Sequence, residues 1–127
     1  MRSVNTNIVV RLLLADDPVQ SEVARQIVRQ GVFVPITVLL ETGWVLGSFY
    51  KFSRARLVTA LLGLLDMPEV HVADLVSLKA AVTHFGDGGD FADAIHLVGA
   101  RGTESFITFD KGVRGSEAIG VLVELAA

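Results

Sequence analysis

Residues 4–20, VNTNIVVRLLLADDPVQ, decide the fold: a β-rich end meets a polar triplet and passes at once into an apolar helical pattern. The strand is Arg2–Val4, and the helix Asn7–Leu14 follows the triplet Asn5, Thr6 and Asn7. Asp17 before Pro18 then opens the next helix, a capping carboxylate followed by proline at the first helical position. The same alternation continues outward. Val32–Val34, Val70–Val72, Ser105–Thr108 and Val121–Val123 read as strands. Pro18–Gln30, Val38–Tyr50, Arg54–Leu65, Leu75–Phe85 and Phe91–Ala100 read as helices. Thr37 and Ser53 are the expected caps of Val38–Tyr50 and Arg54–Leu65, and Asp90 that of Phe91–Ala100, after the glycine-rich turn Gly86–Gly89. Strand–helix alternation implies an α/β fold with right-handed crossovers. The expectation is a single domain over residues 1–127, with a central parallel sheet of four to five strands flanked by helices on both faces. Ligands of such sheets bind beyond the carboxyl ends of the strands. That directs attention to Asn5, Pro35–Glu41, Ala73–Asp74 and Phe109–Asp110.

Composition narrows the function. The chain has 127 residues, enough for one core and too few for two. Hydrophobic residues make up 51% and charged residues 20%, a surplus that suits either a fully covered parallel sheet or a surface that stays apolar until a partner covers it. No cysteine is present, which excludes disulfides and thiolate metal sites. The N-terminus does not read as a signal peptide. Gly31–Tyr50 is nearly uncharged, but Pro35 interrupts it and Glu41 would fall near mid-bilayer at a cost of roughly 2.5–3.5 kcal/mol. The expectation is a cytoplasmic protein with no membrane partner. A net charge of −3 excludes nucleic-acid binding by bulk electrostatics alone. RNA binding would need metal ions and a local basic patch.

Four positions stand out on this map: Asn5 after the first strand, Glu41 in the third helix, Asp93 in the first turn of the sixth, and Asp110 after the fourth strand. Val38, Leu39, Leu40, Trp44, Val45 and Leu46 surround Glu41 in sequence, so a buried carboxylate in need of a partner is expected there. Asp90 and Asp93 share a helix face, with Asp90 as N-cap and as support to Asp93. Asp93 alone is equally explained by the helix dipole, and Asp110 alone by a turn into Lys111–Gly112. Taken jointly, oxygen ligands at this density suit Mg²⁺ or Mn²⁺. Two such ions about 3.5–4 Å apart activate a water and stabilise the leaving oxygen of a phosphodiester.

These residues resemble those of a known family. VNTNIVVRLLLADDPVQ at 4–20 resembles the opening of PIN-domain toxins of the VapC type, in which a strand runs into Asp-Thr-Asn and an apolar helix. VPITVLLETGWVL at 34–46, DFADAIHLVGA at 90–100 and FITFDK at 106–111 resemble the family's later blocks, in order. The resemblance implies a PIN-type fold and a Mg²⁺- or Mn²⁺-dependent endoribonuclease, with one or two ions, acting on structured RNA such as tRNA. It implies inhibition by a cognate antitoxin, a separate small chain bound along an apolar groove. It further implies a homodimer and a higher assembly with the antitoxin. The metal-binding and catalytic positions it carries over are Asn5, Glu41, Asp93 and Asp110, with Thr6 and Thr108 as pocket residues. The departure is Asn5, where the family has aspartate. An amide keeps the size and one acceptor oxygen but loses the charge, so metal affinity and water activation should fall. An inactivating substitution, made because an active toxin poisons its host, is favoured over a natural degenerate member.

His96 is expected to be a hydrogen-bonded core histidine rather than a ligand, and His71 and His84 show no partner pattern. Leu40, Trp44, Val45 and Phe49 read as core or dimer seam. Lys51, Arg54 and Arg56 beside Tyr50 and Phe52 form the best basic-aromatic cluster, and Lys111 and Arg114 are further candidates for RNA phosphate contact. A phosphatase or phospho-acceptor domain would need Asp-x-Asp where this chain has Asn5-Thr6-Asn7, which counts against it. A non-catalytic RNA- or protein-binding module is the alternative to the nuclease.

Overall fold

The computed structural model describes residues 1–127, which form two compact units, Met1–Leu75 and Val76–Ala127. In the first unit, β1 (Arg2–Ser3), β2 (Val32–Phe33) and β3 (Val70–His71) make a parallel sheet in the order β1-β2-β3. Arg2 lies opposite Val32, and Val32 opposite Val70. The Val4 N–H donates to Phe33 O at 3.1 Å and the Val34 N–H to His71 O at 2.9 Å, which carries the ladder one residue past the strands. Val4, Val32, Val34 and Val70 are buried there.

Helices α1 (Thr6–Leu13) and α2 (Pro18–Arg29) connect β1 to β2. The α1 helix buries Val9 and Val10, and α2 buries Ser21, Ala24 and Val28 at helical spacing. Small residues on that stripe let α2 approach α1 closely, and the Ser21 hydroxyl donates to Arg11 O at 2.9 Å. Asp17 caps α2 as expected, accepting from the Gln20 N–H at 3.1 Å ahead of Pro18.

Between β2 and β3 lie α3 (Ile36–Trp44), a π-helical stretch (Val45–Phe49) and α4 (Arg54–Leu65). Two expectations are corrected here. The N-cap position of α3 is Pro35, not Thr37, and carries no side-chain cap. Pro35 has its φ fixed at −61° and its carbonyl accepts from Val38 and Leu39 at 3.0 and 3.1 Å, so the helix starts earlier. The single helix expected over Val38–Tyr50 also changes pitch at Val45, where the Tyr50 N–H reaches back five residues to Val45 O at 3.2 Å. Gly43 and Gly47 weaken the α-helical preference of this segment. Lys51 then ends it in the left-handed region, with φ 59°. Ser53 caps α4 as expected, accepting from the Arg56 N–H at 3.2 Å, and α4 buries Leu57, Leu61, Leu64 and Leu65. Trp44 and Phe49 are 66% and 72% exposed, and Leu40 and Val45 half-buried, so that stripe is not core.

The second unit holds α5 (Leu75–Gly86, beginning one residue before it), α6 (Phe91–Gly99), β4 (Ser105–Thr108) and β5 (Leu122–Leu125). Its buried residues include Leu78, Val82, Phe85, Phe91, Ile95 and Leu97, with the Phe85 and Phe91 rings edge to face at 5.4 Å between centroids. β4 pairs in parallel with β5, Ser105 opposite Leu122 through Thr108 opposite Leu125. The strands thus fall at or within two residues of their predicted places and every named pairing is parallel, giving an α/β fold. They form a three-stranded sheet and a separate two-stranded sheet rather than one sheet of four or five, β4 pairing with β5 and with no other strand. No helix is long and apolar enough to cross a membrane.

Two stability outcomes follow from local chemistry. The Thr42 hydroxyl is fully buried without a hydrogen-bond partner, so Thr42→Val should stabilise the chain by about 1 kcal/mol. Asp17→Ala removes a cap and should cost about 1 kcal/mol. Denaturant unfolding at fixed pH measures both; a loss of stability in Thr42→Val would mean that the hydroxyl has a partner.

Candidate functional site

Position 5 is where β1 gives way to α1. Asn5 has extended backbone (φ −95°, ψ −179°), and its Oδ1 accepts from the Ile8 N–H at 3.3 Å, the N-cap arrangement. Its acceptor oxygen therefore already serves the helix. Thr6, the next residue, is buried, and its hydroxyl donates to the Glu41 carboxylate. The structure thus joins two of the candidates, Thr6 and Glu41, and Asn5 is the chain neighbour of Thr6.

Glu41 is exposed, which corrects the expectation of a buried carboxylate. The reason is angular. Leu39, Thr42 and Gly43 make the buried stripe of α3, and Glu41 lies ~200° around the helix from Leu39. Apolar neighbours in sequence were not neighbours in space. The carboxylate is held by one buried hydroxyl and otherwise faces solvent.

In the second unit, Asp90 caps α6 and accepts from the Asp93 N–H at 3.0 Å. Asp93, in the first turn, is half-buried. Burial raises its carboxyl above the usual aspartate range, and the neighbouring Asp90 and Asp110 carboxylates add to the rise against a smaller opposing effect of His96. The positive end of the helix dipole favours the anion here, yet burial and the two like charges win. Asp110 is exposed and folds into its own turn: its Oδ1 accepts from the Gly112 N–H at 2.7 Å. Any Cβ at residue 112 would stand 3.1 Å from that oxygen, so glycine permits the turn. Thr108 accepts from the Asp110 N–H at 3.0 Å, which makes it a support for that turn.

His96 is exposed, so it is not the core histidine expected. It lies nearly one turn beyond Asp93, where α6 turns Ala94, Ile95, Leu97 and Val98 inward and His96 outward. In the basic-aromatic cluster, Lys51, Arg54 and Arg56 are exposed, and the Arg56 guanidinium sits over the Phe52 ring at 3.9 Å. One arrangement was missed from sequence. His84, which showed no pattern, donates from Nε2 to Arg114 O at 3.0 Å, and the Arg114 side chain lies over Gly88 and Gly89. Two adjacent glycines were its only sequence signal.

The donor set is wholly oxygen. No three histidine, aspartate or glutamate side chains form a ready-made cage, and Mg²⁺ is ordinarily held by one or two carboxylates plus waters and substrate phosphate. Burial, and then repulsion from neighbouring carboxylates, disfavour the Asp93 anion, and a cation relieves both. The residues fit a hard divalent ion.

The rise at Asp93 has a pH signature. A carboxyl that holds its proton more tightly folded than unfolded contributes stability fully present below the unfolded value near 3.8 and lost as pH rises through the folded value. Asp93→Asn removes that loss. In chelator the variant should melt above the parent at pH 7, on the order of one or two degrees, and the difference should fade as pH falls toward the unfolded value. Melting curves across pH measure it; a lower Tm at pH 7 would contradict the rise.

Neither a curated protein nor a solved structure matches the chain. The family model described as PIN domain matches residues 4–115. PIN domains are generally nucleases and generally use divalent metal ions. With that match spanning most of its length, from the end of β1 past the Asp110 turn, the chain belongs to the PIN-domain family.

Proposed function

We propose that the chain is the toxin component of a toxin–antitoxin pair, a Mg²⁺- or Mn²⁺-dependent endoribonuclease acting on structured RNA such as tRNA, with activity greatly reduced by Asn5. The observation that carries this reading is the grouping of Asp90, Asp93 and Asp110, where burial and then the two neighbouring carboxylates disfavour the Asp93 anion. The proposed metal-binding positions are Glu41, Asp93 and Asp110, with residue 5 as the fourth. A bound divalent ion supplies water activation and charge neutralisation at a phosphodiester.

The chain's own residues set the rest. Thr6 fixes the Glu41 carboxylate by donating to it. Asp90 anchors the first turn of α6 and so the backbone of Asp93. The Asp110 turn keeps one carboxylate oxygen on the Gly112 N–H. Asn5 offers a neutral oxygen already committed to the Ile8 N–H, so this position lacks the charge a cation needs. Exposed apolar residues on α2 and α3, Val19, Val23 and Trp44, with Phe49 in the π-helical stretch, support a cognate antitoxin and a homodimer as partners, with a higher assembly of the two.

Asn5→Asp tests the activity without disturbing the fold, because aspartate caps a helix as well as asparagine does. The variant should cleave RNA with Mn²⁺ and not with chelator, at least a hundredfold above the parent, on the order of a lost charge stabilisation. Adding Glu41→Gln should abolish both cleavage and toxicity while antitoxin binding stays within a few-fold. An intact Asn5→Asp protein that cleaves no cellular RNA would overturn the nuclease and leave the non-catalytic binding module.

A further inference from the structure

Arg114 is placed more tightly than an exposed arginine near a chain end needs to be. The carbonyl of its own residue accepts from His84 Nε2 at 3.0 Å, which ties the loop after Asp110 to the end of α5. Its guanidinium lies on the Gly88–Gly89 turn. A Cβ at residue 88 would stand 3.1 Å from Nη2 and one at residue 89 would stand 3.7 Å away. Both glycines are left-handed, with φ +132° and +91°, so the turn exposes backbone where a side chain would otherwise stand.

Arg114 lines one small cleft with Asp90 and Asp93, yet its guanidinium makes no ion pair and no side-chain hydrogen bond. A guanidinium presents a fork of five N–H donors suited to a phosphate's oxygens. Here that fork is oriented by glycine packing and a backbone anchor, and its donors are unspent. An arginine serving stability alone would have closed on the nearby carboxylates. An arginine serving general solubility would not need two glycines beneath it.

We propose that Arg114 is a phosphate-binding residue, positioned by His84 and the Gly88–Gly89 turn, and that its ligand is a backbone phosphate of an RNA strand lying beside Asp93. The proposal rests on the nuclease reading and adds the group that holds substrate where the acidic residues cannot. With a net charge of −3 the chain needs such a local cation to hold a polyanion. His84 acts as a positioning residue, since it touches only the Arg114 carbonyl.

The test reads binding separately from cleavage. A fluorescein-labelled single-stranded RNA is titrated in chelator against the parent chain, Arg114→Ala, Arg114→Lys, His84→Ala and His84→Gln, at several salt concentrations. Arg114→Ala should weaken binding roughly tenfold at low salt and lower the slope of log affinity against log salt by about 0.7, the share of one phosphate contact. Arg114→Lys should keep the slope while losing affinity, because the charge remains and the fork does not. His84→Gln, which keeps an N–H donor, should retain the binding that His84→Ala reduces. Each variant placed on Asn5→Asp should raise KM in proportion, with kcat less affected. An unchanged salt slope in Arg114→Ala, or no RNA binding by the parent, overturns the assignment. Failure of Asn5→Asp to cleave, with the slope change still present, would instead count against the nuclease reading alone.

Discussion

The first unit depends on how the chain turns from β1 into α1 within three residues. Val4 gives its N–H to the last rung of the ladder on β2, Asn5 caps the helix, and Thr6 passes its hydroxyl to Glu41. A longer linker would separate the strand end from the helix start and lose the hold on Glu41. The turn requires at position 5 a short side chain with an acceptor oxygen, a requirement that asparagine, aspartate, serine and threonine all meet. The fold asks for an acceptor there, and the proposed metal site would ask for a charge. These are separable demands, and Asn5 satisfies the first.

Most of the fold was legible because its signals are local. Asp17, Ser53 and Asp90 each cap the helix expected of them, and each strand lies where β-rich residues are bounded by turn residues. What failed depended on direction or on distant pairing. Glu41 was read as buried from its sequence neighbours, whereas helical geometry turned it away from Leu39 and Thr42. His96 failed by the same mechanism on α6. The pitch change at Val45 has no residue of its own to announce it, only glycines that permit it. Sheet membership was the least legible, because parallel partners far apart in sequence leave no mark in either strand. The contact between Arg114 and Gly88, which joins residues 26 apart in the chain, has no block of sequence to mark it.

The acidic residues of the second unit carry an electrostatic cost. Asp90 is committed to the cap and Asp110 to its turn, so both have structural reasons to remain. Asp93 lies between their fields and half out of water, and its ionised form is disfavoured by all three circumstances. A neutral residue at 93 would remove that cost and keep the helix, since the cap is supplied by Asp90. Folding alone does not require a carboxylate there, which is why the proposed function assigns it to a cation.

The apolar surplus leads to a related conclusion. Composition left open two uses for it, a covered sheet or a surface for a partner. Strands β1, β2 and β3 are two residues long, so the covered sheet consumes little. Leucines of α4 and the valines of the ladder account for much of the first unit's interior. Val19 and Val23 remain in water one turn apart on α2, as do Trp44 and Phe49. In the second unit Ile107, Leu122 and Leu125 remain so on the paired strands. An apolar group in water gains nothing for the chain that carries it, because the gain comes only when the area is removed from water. Single exposed residues of this kind are ordinary, but a pair in register on one helix face is a surface. Val19 and Val23 are such a pair in the first unit, and the proposal of a protein partner there rests on them whether or not residue 5 carries a charge.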